Sequence, residues 1–80
     1  MNSNGYFDTK AFMDALDKVR QERQLSWYQV GNEIDAQTGF LTEMLKGKRT
    51  GMNVHTLATL CLWSGLDPHP YMKKRHEEEV

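Results

Sequence analysis

Hydrophobic residues recur along this chain with the 3.6-residue period of an α-helix, and no stretch alternates for long enough to indicate a β-strand. The first periodic stretch predicts a helix from about Thr9 to Arg23, with Asp8 as its N-cap. Phe7 and Phe12 flank this cap at the spacing of a hydrophobic staple. The pattern as a whole predicts an all-α fold.

The second and third predicted helices are short and close together. Ser26 and Gln29 have the spacing of a capping box, which places the start of a helix that ends near Ile34. Residues 35–37 then form a turn, and the periodicity predicts a further helix over Thr38–Leu45. Two short helices joined by such a turn have the helix-turn-helix arrangement.

Two more helices are predicted towards the C-terminus. Asn53 caps a fourth helix of about ten residues, which Ser64-Gly65 closes, and Asp67-Pro68 starts a short fifth helix. The apolar face of the fourth helix is predicted to contain Val54, Leu57, Ala58, Cys61 and Leu62.

The eighty residues are sufficient for one small domain. We expect a single domain over 1–80, with its folded part at about 7–74 and frayed ends at 1–5 and 75–80. The predicted core consists of Phe12, Leu16, Val19, Leu25, Val30, Ile34, Leu41, Leu57, Cys61 and Leu62, with Met44 or Leu45 as a further inward residue.

Composition adds little, because 39% hydrophobic and 26% charged residues are near the averages for soluble globular proteins. The net charge of -1 does not indicate a polyanionic partner. However, Lys46, Lys48 and Arg49 fall within four residues of each other. This group has two interpretations, a phosphate-contacting edge or a solvated turn.

The sequence contains no recognisable arrangement of catalytic or metal-binding residues. The single cysteine, Cys61, cannot form an internal disulfide, and His55, His69 and His76 are too scattered to build a zinc site with it. We therefore expect no enzyme activity, no cofactor, no metal and no small-molecule ligand. The sequence shows neither a signal peptide nor a membrane span, so we expect a cytoplasmic protein, nucleoid-associated if it binds DNA.

A family resemblance extends over most of the chain. Residues 25–31 (LSWYQVG) and 34–49 (IDAQTGFLTEMLKGKR) resemble the phage repressor/Cro-like helix-turn-helix family of transcriptional regulators. Residues 56–68 look like the fourth helix and following turn of small single-domain members from actinobacteria and their phages, so the likeness covers about 12–72. The resemblance implies a compact five-helix domain of the lambda-repressor-like type.

The resemblance also implies a function, sequence-specific binding of double-stranded DNA by a transcriptional repressor. The helix at about 38–45 would lie in the major groove. The base-reading positions would be Thr38, Gly39, Thr42 and Glu43, and the backbone-contacting positions Ser26, Trp27, Tyr28, Gln37, Lys46, Lys48 and Arg49.

The chain departs from the family pattern in three respects. Asp35 replaces the usual left-handed glycine, and Gln37 replaces the usual Ser or Thr cap. Gly39 and Glu43 occupy outward positions that often carry polar or basic base-reading side chains, and Glu43 puts a negative charge there. An alternative function is therefore a protein-interaction module on the same scaffold, resembling an anti-repressor or antitoxin. We also expect a weak homodimer, formed through the fifth helix and Trp63 or Tyr71.

Overall fold

The computed structural model describes residues 4–74, which form four α-helices and a small two-stranded sheet. Within this range no helix is long and apolar enough to cross a bilayer. In chain order the elements are β1 (Gly5–Phe7), α1 (Thr9–Glu22), α2 (Trp27–Ile34), α3 (Thr38–Leu45), α4 (Val54–Ser64), a single 3₁₀ turn (His69–Tyr71) and β2 (Met72–Lys74).

The starts of the first, second and fourth helices follow from side-chain caps. The Asp8 carboxylate accepts a hydrogen bond from the Ala11 amide at 3.2 Å. The Ser26 hydroxyl accepts from the Gln29 amide at 3.1 Å, while the Gln29 side chain accepts from the Ser26 amide at 2.8 Å. Asn53 caps α4 in the same way. Because these caps are short sequence patterns, the predicted helix starts are confirmed.

The C-terminal segment differs from the prediction of a fifth α-helix. A single 3₁₀ turn is followed by β2, which pairs antiparallel with β1 so that Phe7 lies opposite Met72. Pro68 suits the first position of a helix, but Pro70 removes an amide donor and disfavours helical backbone at the residue before it. The prediction of a compact, mostly helical fold is confirmed, but the fifth α-helix was wrong and the strictly all-α class does not hold, since residues 4–74 also contain a small sheet.

The ends of the chain are only partly within the described residues. Gly5 was expected to be frayed, but it pairs with Lys74 in the sheet. Strands of three residues are too short to show an alternating pattern, so no periodicity in the chain indicated them. The rest of the predicted frayed ends, residues 1–3 and 75–80, lies outside the described residues, whereas Asn4 is exposed.

The core lies between α1, α2, α3 and one face of α4. Its fully buried side chains are Phe12, Met13, Leu16, Val30, Leu41, Met44 and Leu60. The predicted core residues Val19, Leu25, Ile34, Leu57 and Cys61 are partly buried. Burial raises the pKa of the Cys61 thiol, with a smaller contribution from the charge of Asp67.

The predicted inner face of α4 was wrong at three positions. Leu62 is 87% exposed and Val54 is 73% exposed, and Ala58 is also exposed. Leu60, which was not predicted, is fully buried instead. The reason is that apolar residues occur on nearly every side of this helix, so its periodicity does not determine which side faces inward.

An aromatic cluster joins the two ends of the described chain to the core. The ring of Phe12 lies 5.3 Å from that of Phe7 and 5.4 Å from that of Tyr71, both in edge-to-face geometry. The predicted staple between Phe7 and Phe12 is thus confirmed. Nearby, the buried Thr9 hydroxyl donates to the Thr50 carbonyl at 2.5 Å, which ties the loop between α3 and α4 to the start of α1.

Candidate nucleic-acid interface

The turn between α2 and α3 holds these two helices close together. Asp35 adopts the left-handed conformation, with φ 59° and ψ 49°, and the Ala36 amide donates to the Gly31 carbonyl at 2.8 Å. A Cβ atom added to Gly31 would lie only 2.5 Å from the Ala36 carbonyl oxygen. Glycine at this position therefore allows the close approach of the turn to α2.

The outer face of α3 is opposite its two buried residues, Leu41 and Met44. Gly39 is exposed on this outer face, and a Cβ built on it would meet no atom within 4 Å. The Thr42 hydroxyl donates to the Gly39 carbonyl at 3.2 Å, which leaves its oxygen lone pairs and methyl group available. Thr38 is partly buried at the start of the helix.

The N-terminus of α3 has no side-chain cap. Gln37 occupies the N-cap position in extended conformation, but its side chain makes no capping hydrogen bond. Gln37, which replaces the usual Ser or Thr at this position, therefore supplies no capping hydrogen bond to this helix. The side-chain amide of Gln37 is exposed and makes no capping hydrogen bond.

The predicted reading residue Glu43 and the predicted phosphate contact Arg49 are brought together by the structure. The Arg49 Nε donates to the Glu43 carboxylate at 2.6 Å, and the Arg49 guanidinium lies 5.5 Å from the centre of the Phe40 ring. The Lys48 amide donates to the Glu43 carbonyl at 2.9 Å, which turns the loop back along the helix. Arg49 is thus hydrogen-bonded to a residue of α3. It had been predicted instead as a separate contact to the DNA backbone.

The electrostatics at Glu43 favour its ionised form. The hydrogen bond and the charge of Arg49 are the main causes that lower the pKa of this carboxyl, with smaller contributions from Lys48 and Lys46. The negative charge at this reading position is therefore compensated by Arg49.

Lys46 and Lys48 differ from Arg49 in their pairing. Both are exposed, and neither forms an ion pair with any residue in 4–74. Of the three cations at this edge, these two remain available to an anionic ligand.

The start of α2 supplies the other predicted backbone contacts. Ser26 is exposed, and its hydroxyl can still donate while it accepts from the Gln29 amide. Tyr28 is 66% exposed. Trp27 is partly buried against the core, and the Arg20 guanidinium lies 5.2 Å from the centre of its ring. Trp27 therefore has a packing role in addition to any contact its indole N–H can make.

Sequence reasoning missed the pairing of Glu43 with Arg49. Residues six apart are not neighbours on a helix surface, so no periodic pattern indicated the contact. The only available signal was the opposite charge of two residues on either side of Gly47, which takes φ 84° where the chain reverses. A glycine just after a helix indicates such a reversal, although not which side chains it brings together.

A second feature that the sequence did not indicate is a groove of about 850 Å³ beside the sheet. Phe7, Met52, Leu57 and Met72 contribute to its lining. Its charged lining residues are Asp8, Lys10 and Lys73. Lys73 pairs with Asp8 at 3.5 Å and Lys10 with Asp14 at 2.7 Å, so each of these charges has a partner.

Comparisons of the chain with sequence profiles of protein families, with characterised proteins and with solved structures gave no significant match to any of them.

Proposed function

We propose that the protein binds double-stranded DNA sequence-specifically and represses transcription by occluding a promoter. The observation that carries this proposal is the geometry of α2 and α3, which are joined by a three-residue turn and leave Gly39 exposed and Thr42 and Glu43 partly exposed on the outer face of α3. A helix about 10–12 Å across fits a major groove about 12 Å wide. The recognition helix is α3, over Thr38–Leu45.

Base reading is assigned to the small polar residues of α3. The hydroxyls of Thr38 and Thr42 can bond several base edges, and their methyl groups can contact a thymine methyl. Gly39 reads no base, but the open space around it lets the DNA approach the helix backbone.

Attraction to the phosphates is assigned to Lys46 and Lys48, two exposed cations at the end of α3 that form no ion pair with another described residue. Ser26, Tyr28 and Gln37, at the starts of α2 and α3, present further hydrogen-bonding groups beside the backbone, as does the indole of Trp27. These contacts set the register of the protein on the duplex and carry no sequence information directly.

Glu43 and Arg49 act as one unit in this proposal. Because Arg49 Nε is bonded to Glu43, the two terminal amino groups of its guanidinium remain as donors. Such donors suit the guanine O6 and N7 acceptors or a phosphate. Glu43 then orients Arg49, so that replacing either residue changes base preference at the same position.

The alternative is a protein-interaction module, resembling an anti-repressor or antitoxin. It is favoured by one observation, that the pairing of Arg49 with Glu43 leaves only two unpaired cations beside α3 within residues 4–74. A smaller positive charge reduces sequence-independent attraction to DNA.

Selection of bound sequences from a random duplex library at near-physiological salt tests the proposal. The wild-type protein should enrich one motif, and Thr42→Ala should lose discrimination of about 1–3 kcal/mol at the preferred site. Lys18→Ala serves as the matched control, since it removes an exposed charge from α1. Recovery of no enriched motif, together with a stoichiometric protein partner on purification, would favour the alternative.

A further inference from the structure

The groove of about 850 Å³ beside the small sheet is lined by two stretches of backbone. One stretch contains β1 and the start of α1, and the other is the irregular segment 50–52 that precedes α4. The Thr9 hydroxyl donates to the Thr50 carbonyl at 2.5 Å and so joins the two stretches. We call this feature the sheet groove.

Much of the lining of the sheet groove is apolar. Phe7, Met52 and Leu57 are partly buried against the core, and each also lines the groove. Met72 lies opposite Phe7 in the sheet and is 56% exposed. Side chains that are opposite each other in an antiparallel pair share one face of the sheet. These residues can therefore cover an apolar side chain of a ligand, and methionine adapts readily to different shapes.

The outer edge of β1 presents backbone hydrogen-bonding groups. Within residues 4–74 the sheet has two strands, so β2 pairs with one side of β1 and leaves the other side open. The Asp8 amide donates to the Tyr71 carbonyl at 2.7 Å. Since bonded pairs recur at every second residue of an antiparallel ladder, Tyr6 belongs to the next bonded pair, whereas Gly5 and Phe7 do not. The backbone N–H and C=O groups of Gly5 and Phe7 therefore point away from β2.

A weak internal contact reaches one of these groups. The Thr9 hydroxyl lies 3.5 Å from the Phe7 carbonyl oxygen, but its single proton has the much shorter bond to Thr50. The edge of β1 thus remains able to pair with another extended chain, which is the ordinary property of an open strand edge.

The charged side chains of the sheet groove favour an acidic ligand. Among the described residues that line it, Lys10 and Lys73 outnumber the one acid, Asp8. Each lysine has three N–H donors and is paired with one carboxylate, Lys10 with Asp14 at 2.7 Å and Lys73 with Asp8 at 3.5 Å. The two lysine side chains are 53% and 44% exposed, so their remaining donors can bind further carboxylates.

We propose that the sheet groove binds an extended, acidic peptide segment of another protein, which adds to β1 as a third strand. The backbone groups at the edge select a polypeptide, because a lipid or an aromatic small molecule would exclude water from them without replacing its hydrogen bonds. Alternate side chains of the added strand point to opposite faces, so apolar ones can enter the groove while acidic ones reach the lysines. A second copy of this chain fits less well, because it would bring the same lysines and like charges would meet.

The interaction is expected to be weak. A strand of three residues offers few backbone hydrogen bonds, and the apolar lining can bury one or two side chains of a ligand. A dissociation constant on the order of 100 μM is consistent with so small a contact.

Nuclear magnetic resonance titration of the full chain tests the inference. The probes are capped peptides in which glutamate alternates with valine, leucine or phenylalanine. Up to about 1 mM peptide, they should shift the amide signals of residues 5–7 and 50–52 more than those of α2 and α3. Methylating the backbone nitrogens of the peptide removes its donors and should weaken binding at least tenfold. Lysine in place of glutamate should weaken it as well.

Two pairs of variants separate the contributions of the groove. Met72→Glu places a charge in the exposed apolar lining and should weaken peptide binding at least tenfold, whereas Leu62→Glu places the same charge at an exposed apolar position outside the groove and should not. Lys10→Gln should weaken binding of the acidic peptides several-fold, and Lys18→Gln, on the same helix, should leave it unchanged. The amide spectrum shows whether each variant is folded.

The inference would be overturned if none of the acidic peptides shifted the signals of residues 5–7, or if the methylated peptide bound equally well. Binding of dodecanoate without binding of any peptide would make the groove a lipid site and would also overturn it. So would self-association of the wild type that Met72→Glu abolishes, because the occupant would then be a second copy. The titrations contain no DNA, so peptide binding and the proposed DNA binding can each fail independently.

Discussion

The outer faces of α3 and α4 are built on one core but differ in chemistry. On α3, Thr42 and the paired Glu43 and Arg49 give a polar surface beside Lys46 and Lys48, which form no ion pair within residues 4–74. On α4, the outward side chains of Val54, Ala58 and Leu62 are exposed and apolar. One small domain thus has a polar outer face on α3 and an apolar outer face on α4.

The difference arises from how clearly each helix separates apolar residues on one side from polar residues on the other. The buried residues of α3, Leu41 and Met44, lie on one side of that helix, and polar residues follow on the other. On α4 the buried Leu60 and the exposed Leu62 are two residues apart on a helix that is apolar on both sides. Val54 and Leu62 are therefore apolar side chains that the core of the described chain does not cover.

The largest expected effect tests the assignment of inner and outer sides of α4. Leu60→Ala should cost about 2–5 kcal/mol of unfolding free energy, because it leaves a cavity in the core. Leu41→Ala should cost a similar amount from α3. Leu62→Ala should change stability by no more than about 0.5 kcal/mol in dilute monomer. Urea denaturation measures all three, and equal costs for Leu60→Ala and Leu62→Ala would contradict the assignment.

A smaller effect compares the two glycines of the helix-turn-helix. Gly31→Ala should destabilise by about 1–3 kcal/mol, since the new Cβ would lie 2.5 Å from the Ala36 carbonyl oxygen and force α2 and the turn apart. Gly39→Ala is the matched control, because its Cβ would meet nothing within 4 Å. It should be neutral or stabilise the helix by up to about 1 kcal/mol. Thermal melting of both variants checks the opposite signs.

The parts of the fold that the sequence predicted are those specified by local chemistry. The capping residues Asp8, Ser26 and Asn53 each bond amides within three residues, so the pattern in the chain determines where each helix starts. The bounds of α3 were also predicted, because apolar residues recur on one side of it and Gly47 follows it.

The parts that the sequence did not predict depend on contacts between distant segments. The pairing of β1 with β2 joins Gly5 to Lys74, and three-residue strands carry no recognisable alternation. The inner side of α4 is decided by packing, since its own pattern is ambiguous. At the candidate site, the positions of Thr42 and Gly39 on the outer face followed from periodicity, but the contact of Arg49 with Glu43 depends on how the loop reverses.

The next prediction concerns Lys46 and Lys48, the two exposed lysines beside α3. Lys48→Ala should weaken binding to all DNA sequences alike and reduce the dependence of log K on log salt concentration by about 0.9, because one phosphate contact is lost. Lys18→Ala, which removes an exposed charge on α1, should leave that slope unchanged. Fluorescence anisotropy with a labelled duplex from 50 to 200 mM salt, the range over which counterion release is measured, gives both slopes. Equal slopes for the two variants would mean that Lys48 does not contact a DNA phosphate.

The smallest expected effect concerns the ion pair that distinguishes α3 from α4. The pKa of Glu43 is lowered from its ordinary value of 4.5 by the hydrogen bond and charge of Arg49. A carboxyl whose pKa is lowered by folding stabilises the folded state above that ordinary value, and the contribution is lost as pH falls through the folded pKa. Wild type should therefore be slightly more stable than Glu43→Gln at pH 7, and the difference should vanish in acid and shrink in high salt, since the pair is exposed.

Titration of the Glu43 carboxyl by nuclear magnetic resonance gives the sharper test. In Arg49→Gln the pKa of Glu43 should rise towards 4.5, whereas Lys18→Gln should leave it unchanged. An unchanged pKa in Arg49→Gln would mean that the pair does not form in solution, and Arg49 would then be free to contact phosphate beside Lys46 and Lys48.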